Sequence, residues 1–170
     1  MSATSERDRA ADLAKADPVS AARIARDIGD PWFRAQALSW VLRFSHDDVK
    51  NIASDAADAA ARCVDDYKRS AVRAWEIAAL AERGMADEAC ESLKEALAVA
   101  WNAEPPASRC ESLFLLLQAA FSIKSEEARK VFDLLRSSGS QDDAHWRCRR
   151  AIRDAEKIFA GEARPRPFFW

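Results

Sequence analysis

The chain has 170 residues, of which 49% are hydrophobic and 32% are charged, and its formal net charge is −2. This composition is ordinary for one globular domain; it gives no general attraction to nucleic acid, and the longest apolar run is far too short to span a membrane. Only four glycines and no alternating β-branched run are present, which excludes a β fold and favours helix throughout.

The N-terminal region contains no apolar signal core, so the sequence predicts a cytoplasmic protein. The first helix is predicted to begin at Ser5, because a serine oxygen can accept a free amide of the first turn. Asp17 and Asp30 are each followed by proline, and both pairs are typical helix starts. Gly29 is expected to end the second helix in the left-handed conformation.

Six further helices follow, separated by short polar turns, by single glycines and by a Glu-Pro-Pro break at residues 104–106. The nine predicted helices are 5–15, 17–28, 30–44, 48–64, 66–83, 86–102, 107–123, 125–137 and 143–160. The last residues are rich in proline and aromatic side chains. We therefore divide the chain into a helical domain, 1–161, and a C-terminal tail, 162–170.

An internal repeat is visible in five arginines, spaced 25 to 40 residues apart, each followed by a small residue and preceded four positions earlier by a helix start. These anchor arginines are Arg9, Arg34, Arg69, Arg109 and Arg147. Their helices share an apolar stripe that begins at the small residue and follows helical spacing. The recurrence at linked positions predicts one structural unit used several times.

A second face of the anchored helices distinguishes inner copies from end copies. In the second and third copies this face is apolar and places Trp40 and Trp75 at the same position, six residues after the anchor. In the last copy it carries Arg150, Arg153 and Lys157. A stack of units needs this difference, because an inner helix has a neighbouring unit on each side, whereas one side of an end helix faces water.

The predicted fold is therefore all-α. Short connections and recurring units favour a right-handed α-solenoid of about four helical hairpins with a C-terminal capping helix. A compact irregular helical bundle is the alternative architecture.

Residues 24–38 resemble prokaryotic helical-repeat proteins related to HEAT and tetratricopeptide arrays, through Ile-Ala-x-x-Ile and then Asp-Pro-x-x-Arg-Ala-x-Ala-Leu. In HEAT proteins, the resemblance implies, the Asp and Arg bond between adjacent repeats as a structural ladder. That ladder would fall on Asp30 with Arg34, Asp65 with Arg69, and Asp143 with Arg147. The Trp-Leu-Gly signature of tetratricopeptide arrays is absent.

We predict no catalytic, metal or cofactor site. His46 lies beside Asp47 and Asp48, and His145 lies near Asp142 and Asp143, but the two histidines form no His-x-x-x-His pair. The isolated glycines exclude a phosphate-binding loop. The four cysteines form no Cys-x-x-Cys pair, and we expect buried, reduced thiols.

Partner-binding candidates lie in two groups. Trp40 and Trp75 either pack in the interior between repeats or line a groove as anchors for a peptide. Arg150, Arg153 and Lys157 form either a solvated capping face or an anion site. The tail adds Arg164, Arg166, Phe168, Phe169 and Trp170, whose aromatic rings either fold back over the last hairpin or form an extended arm for another chain.

The leading functional hypothesis is a non-enzymatic scaffold or adaptor of the helical-repeat type that binds a protein or peptide. The second hypothesis is a nucleic-acid-binding HEAT-like protein that uses the basic C-terminal helix, since some HEAT-like proteins resemble DNA glycosylases. The acidic remainder of the chain makes nucleic acid the less favoured partner. Homo-oligomerisation through the tail is a third expectation.

Overall fold

The computed structural model describes residues 2–140 and 145–169, and all regular secondary structure in this part of the chain is α-helical. The all-α prediction is therefore confirmed. The helices are α1 (Ala3–Ala14), α2 (Pro18–Asp27), α3 (Pro31–Leu42), α4 (Val49–Ala61), α5 (Asp66–Ala71), α6 (Arg73–Glu82), α7 (Ala86–Ala100), α8 (Pro106–Ile123), α9 (Ser125–Gly139) and α10 (Trp146–Phe159). No helix in the described part combines the length and the apolar composition that crossing a bilayer requires.

Aspartate caps set three of the helix starts, as the sequence predicts. A carboxylate oxygen of Asp17, Asp30 and Asp65 accepts a backbone amide of the first turn of α2, α3 and α5, at 3.0, 2.9 and 2.7 Å. The first helix begins earlier than predicted, because Ser2 rather than Ser5 is its N-cap. The Ser2 hydroxyl oxygen accepts the Ser5 amide at 3.2 Å.

The helix predicted at 66–83 is divided at Val72 into α5 and α6. The hydroxyl of Ser70 donates to backbone carbonyls one turn earlier and lies 2.6 Å from the Ser112 hydroxyl of α8. A serine side chain that bonds the preceding turn competes with the helical ladder and often bends a helix. Val72 adds a β-branched side chain at the same point, which lowers helix propensity further.

Two glycines that follow predicted helix ends lie in the left-handed region, and a third, Gly29, does not. Gly84 after α6 and Gly161 after α10 both have φ of +75°. Gly29 has no positive φ, so the prediction for the end of α2 is wrong. The chain leaves α2 through Ile28, whose backbone is extended and whose side chain is fully buried.

Gly84→Ala is expected to lower the free energy of unfolding by about 1 kcal/mol, because an L side chain in the left-handed region costs about 1–2 kcal/mol. Gly29→Ala is the matched control, since an added Cβ there meets no atom within 4 Å and φ is not positive. It should be neutral or slightly stabilising. Urea denaturation of both variants measures the difference, and equal midpoints would contradict the assignment.

The helices that carry the anchor arginines contact one another in chain order. Helix α1 packs on α3, α3 on α6, the pair α5 and α6 on α8, and α8 on α10. Each intervening helix, α2, α4, α7 or α9, packs against the anchored helix before it and the one after it. The contacts between neighbouring units therefore follow the order of the repeat in the sequence.

Burial follows the predicted stripes. The small residue after each anchor is buried in all five copies; these residues are Ala10, Ala35, Ser70, Cys110 and Cys148. On the second face Ala37 and Val72 are buried in inner copies, whereas Arg150, Arg153 and Lys157 are exposed in the last copy. The burial of these side chains therefore follows the apolar and charged pattern of the sequence.

The anchor arginines of the three inner copies share one contact. In each, Nε donates to the backbone carbonyl six residues earlier, at the end of the preceding segment. The pairs are Arg34 with Ile28 at 2.7 Å, Arg69 with Cys63 at 2.9 Å, and Arg109 with Ala103 at 3.2 Å. This arginine clamp satisfies a carbonyl that no helix bonds, and it fixes the turn between two units.

The Asp–Arg ladder implied by the HEAT resemblance is not formed at two of its three positions. Within the described residues, Asp30 and Asp65 cap their own helices and neither forms an ion pair with an arginine. The arginines instead make the clamp contact, which needs no acid. Asp143 lies outside the described residues.

Candidate functional site

The C-terminal tail runs back across the helical domain. After the left-handed turn at Gly161, the chain continues without helix to residue 169. Its backbone amide at Arg166 donates to the Gln118 side-chain oxygen of α8 at 3.1 Å. Pro165 and Pro167 on either side restrict φ and keep this segment extended.

Two adjacent phenylalanines of the tail contact two neighbouring helices. Phe168 lies edge-on to Trp75 of α6 with ring centroids 5.3 Å apart, and Phe169 lies edge-on to Trp40 of α3 at 5.0 Å. Phe168 is 4% exposed, so the tail contributes to the core. Aromatic pairs with this edge-to-face geometry are favourable beyond the area they bury.

The predicted position of the tail was therefore only partly right. It folds back onto the helical domain, but its phenylalanines cover the middle helices α3 and α6 rather than the last hairpin. The physical reason is that the indole rings of Trp40 and Trp75 pack edge-on against the tail phenylalanines. At the other end of the domain, Phe121 of α8 already packs against Phe159 of α10. Trp170 lies outside the described residues.

We call the surface under the tail the tail groove and define it by Trp40, Arg43, Trp75 and Gln118. The Arg43 guanidinium lies 4.2 Å from the Phe169 ring centroid and 4.9 Å from that of Trp40. Its Nε also donates to a carboxylate oxygen of Glu82 at 2.6 Å. The arginine thus holds the end of the tail through cation–π contacts while Glu82 fixes its orientation.

Arg166 of the tail also contacts Trp75 of α6. The guanidinium of Arg166 lies 5.6 Å from the Trp75 ring centroid and 5.8 Å from that of Phe168. Trp32 of α3 packs edge-on to the same indole at 5.9 Å. Arg164, in contrast, is exposed. Trp75 is therefore surrounded by residues of α3, α6 and the tail.

Both tryptophans of the repeat are buried, at 7% exposure for Trp40 and 4% for Trp75. The sequence left two alternatives for these tryptophans, packing in the interior or anchoring a peptide. Both rings are buried, and both also contact the extended tail. Sequence reasoning missed Arg43 and Gln118. Both stand nine residues after an anchor, so one further helical turn along the tryptophan face would have identified them.

The basic residues of α10 lie apart from the tail groove. Arg150 donates to Glu111 of α8 at 3.1 Å, and Arg147 lies 3.7 Å from the same carboxylate. Arg153 pairs with Asp154 on its own helix at 3.1 Å. Acidic neighbours therefore offset part of the positive charge of this helix.

Comparisons with known proteins do not identify the chain. No family model, no curated protein and no solved structure matches it. The tail groove itself offers two indole rings, one guanidinium and one amide oxygen. Such a set fits an extended peptide that carries aromatic side chains.

A cleft of about 310 Å³, lined by residues of α4, α6 and α7, contains a buried ion pair. Arg73 and Glu76 of α6 form two hydrogen bonds with each other, at 2.5 and 3.1 Å, and the Ser92 hydroxyl of α7 donates to Glu76 at 2.8 Å. Arg73 also reaches Glu95 at 3.1 Å. Burial raises the pKa of Glu76, although Arg73 opposes the shift. Both carboxylate oxygens are occupied, which indicates a structural role.

The Cys63 thiol and the His145 imidazole lie outside the tail groove. Burial raises the pKa of the Cys63 thiol to about 11, so almost no thiolate is available near neutral pH. The His145 Nδ1 accepts the Arg147 amide at 3.2 Å and caps α10. Among the described residues, no three His, Cys, Asp or Glu side chains are grouped so that they could hold a metal ion.

Proposed function

We propose that the protein is a non-enzymatic scaffold that binds a protein partner through an extended segment laid across the tail groove. One observation carries the proposal: residues 166–169 already lie there as a short peptide. A main-chain amide is bonded to Gln118, and two aromatic side chains contact Trp75 and Trp40. Tryptophan and arginine are also residue types that dominate binding energy at protein interfaces.

We infer that the helices form a right-handed α-solenoid of about four HEAT-like hairpins with α10 as a capping helix. Support comes from the contacts of successive anchored helices and from the exposed basic face at the end of the array. In a solenoid each repeat contacts mainly its neighbours, and the stacked units create one long surface for a partner. None of the four cysteines forms a disulfide in the described part of the chain, which supports a reducing compartment such as the cytoplasm.

Photo-crosslinking in the cell of origin tests the scaffold proposal. A benzophenone amino acid replaces Gln118 in a chain that also carries Phe168→Ala and Phe169→Ala, so that the tail does not cover position 118. In the control chain, with the same two alanines, it replaces Lys94, whose side chain is 79% exposed on α7. We expect protein adducts of discrete mass from position 118 only. The same adducts from both positions, or none from position 118, would remove the proposal.

Nucleic-acid binding by α10 is the second candidate, and the ion pairs of Arg147, Arg150 and Arg153 weigh against it. We expect no salt-dependent shift of duplex DNA at about 50 mM salt, where phosphate contacts are strong. A gel-shift titration measures this. A shift that is lost when Arg149 and Lys157, both exposed, are replaced by glutamine would instead support a nucleic-acid function.

A further inference from the structure

The tail is attached to the helical domain in a way that allows it to leave. Helix α10 ends at Phe159, and the following residues 160–164 are exposed. Between this exposed connector and residue 169, Phe168 is buried while Arg166 and Pro167 remain exposed. Release of the tail therefore breaks no helix and requires no change in the packing between α-helices.

The tail also leaves a polar atom of the groove without a partner. The indole Nε1 of Trp75 is buried and, within the described residues, has no hydrogen-bond acceptor. Buried donors are nearly always paired in folded proteins, so an unpaired one at a binding surface suggests a ligand that supplies an acceptor. Residues 162–169 of the docked tail supply no acceptor to this indole.

We propose that residues 164–169 are an intramolecular competitor, and that the tail groove binds a partner protein through an extended segment with two adjacent aromatic residues preceded by proline. Phe168 and Phe169 define this ligand class because they reach two neighbouring helices at once. The aromatic rings bind against Trp75 and Trp40, and the guanidinium of Arg43 covers the second ring. This inference rests on the proposed scaffold function and adds its ligand class and its regulation.

The tether gives the tail a concentration advantage over a free ligand. A short connector holds a segment near its site at an effective concentration on the order of 1 mM. If the same segment binds in trans with a Kd of about 10 μM, the tethered tail weakens the apparent affinity about 100-fold. The partner therefore gains access only when it binds more tightly than the tail, or when the tail is modified or withdrawn.

The test uses the full-length chain with Phe168→Ala and Phe169→Ala, which opens the groove without shortening the protein. The probe is a fluorescein-labelled peptide with the sequence of residues 162–170, measured by fluorescence anisotropy. Circular dichroism of the receptor verifies that its helix content is unchanged. We expect saturable binding to this variant and at least tenfold weaker binding to the wild-type chain.

Two controls localise the binding. A peptide with alanine at both phenylalanines should not bind, and Trp40→Ala in the opened receptor should weaken binding at least tenfold. Trp146→Ala should leave the affinity unchanged, because that indole is 54% exposed on α10 and lies outside the groove. Equal affinity of the opened and wild-type receptors, or no saturable binding to the opened receptor, would overturn the proposal.

Light scattering on the wild-type chain distinguishes a foreign partner from a second copy. If the wild-type chain has the mass of a monomer at the protein concentrations used for the anisotropy measurements, a foreign partner is supported. A dimer that disappears in the opened variant would assign the groove to tail exchange between copies and overturn the competitor role. If position 118 crosslinks to a partner protein but the labelled peptide does not bind, the proposed scaffold function is still supported. Only the inference about the tail and its ligand class is then overturned.

Discussion

Glu76→Ala is expected to lower the free energy of unfolding by about 3–5 kcal/mol, the range observed when one partner of a buried ion pair is removed. Glu76 is 3% exposed and bonds Arg73 and Ser92. Its loss leaves the largely buried Arg73 guanidinium with Glu95 as its remaining carboxylate partner. Urea denaturation followed by circular dichroism measures the change.

The matched control removes the other carboxylate bound to the same arginine. The side chain of Glu95 is 66% exposed, so Glu95→Ala should cost less than about 1 kcal/mol, as exposed ion pairs do. Glu76→Gln keeps the shape and a hydrogen-bonding group, and its loss should fall between the two. If Glu76→Ala and Glu95→Ala prove equally mild, the ion pair does not stabilise the packing of α6 against α7.

The free energy of unfolding should also depend on pH through Glu76. Burial raises its pKa in the folded chain above the ordinary value of 4.5, so the folded protein retains this proton at a pH where the unfolded chain has lost it. This contribution to the free energy of unfolding therefore decreases as the pH rises from about 4.5 to the raised pKa. Glu76→Gln should lack the decrease. Parallel pH profiles for both proteins would show that the pKa is not raised.

Trp75→Ala is expected to cost about 3–5 kcal/mol, as for other buried large aromatic residues, and also to release the tail. Trp75 touches Trp32 within the helical domain and Phe168 in the tail. Phe168→Ala should cost less, about 1–3 kcal/mol, because the end of the tail can undock without leaving a cavity between helices. Chemical denaturation measures both variants.

The double variant separates tail docking from helix packing. Once Trp75→Ala has released the tail, Phe168→Ala should add almost nothing, so the two losses should fall short of additivity by at least about 0.5–1.5 kcal/mol. The pair Trp146→Ala and Phe168→Ala should be additive. Carboxypeptidase digestion followed by mass spectrometry provides an independent readout, with removal of Phe169 slow in the wild type and fast in Trp75→Ala. Full additivity of the first pair would contradict the docked tail.

Local features of the fold could be predicted from the sequence because their causes lie within a few residues. The caps at Asp17, Asp30 and Asp65 and the left-handed turn at Gly84 depend on a single side chain or on its absence. The break at Val72 could not be predicted in the same way. It involves the contact of Ser70 with the Ser112 hydroxyl of α8, and these two serines are 42 residues apart in the sequence.

The tail groove was predictable only in part, for a related reason. Helical periodicity placed Trp40 and Trp75 on one face, and the same periodicity could have added Arg43 and Gln118. Periodicity does not say which surface a proline-rich tail will cover, because that choice depends on long-range fit between side chains. The contact of Phe168 with α6 rather than with the last hairpin is therefore information that only the three-dimensional structure supplies.

The arginine clamp has a consequence for how such a chain can grow. The spacing between successive anchors varies from 25 to 40 residues, yet in the three inner copies each clamp spans six residues. Each clamp thus involves only residues of its own turn. The differences in anchor spacing arise from the segments between successive turns. Evolution or an engineer can therefore splice in a longer or shorter hairpin while the joints on either side keep their geometry.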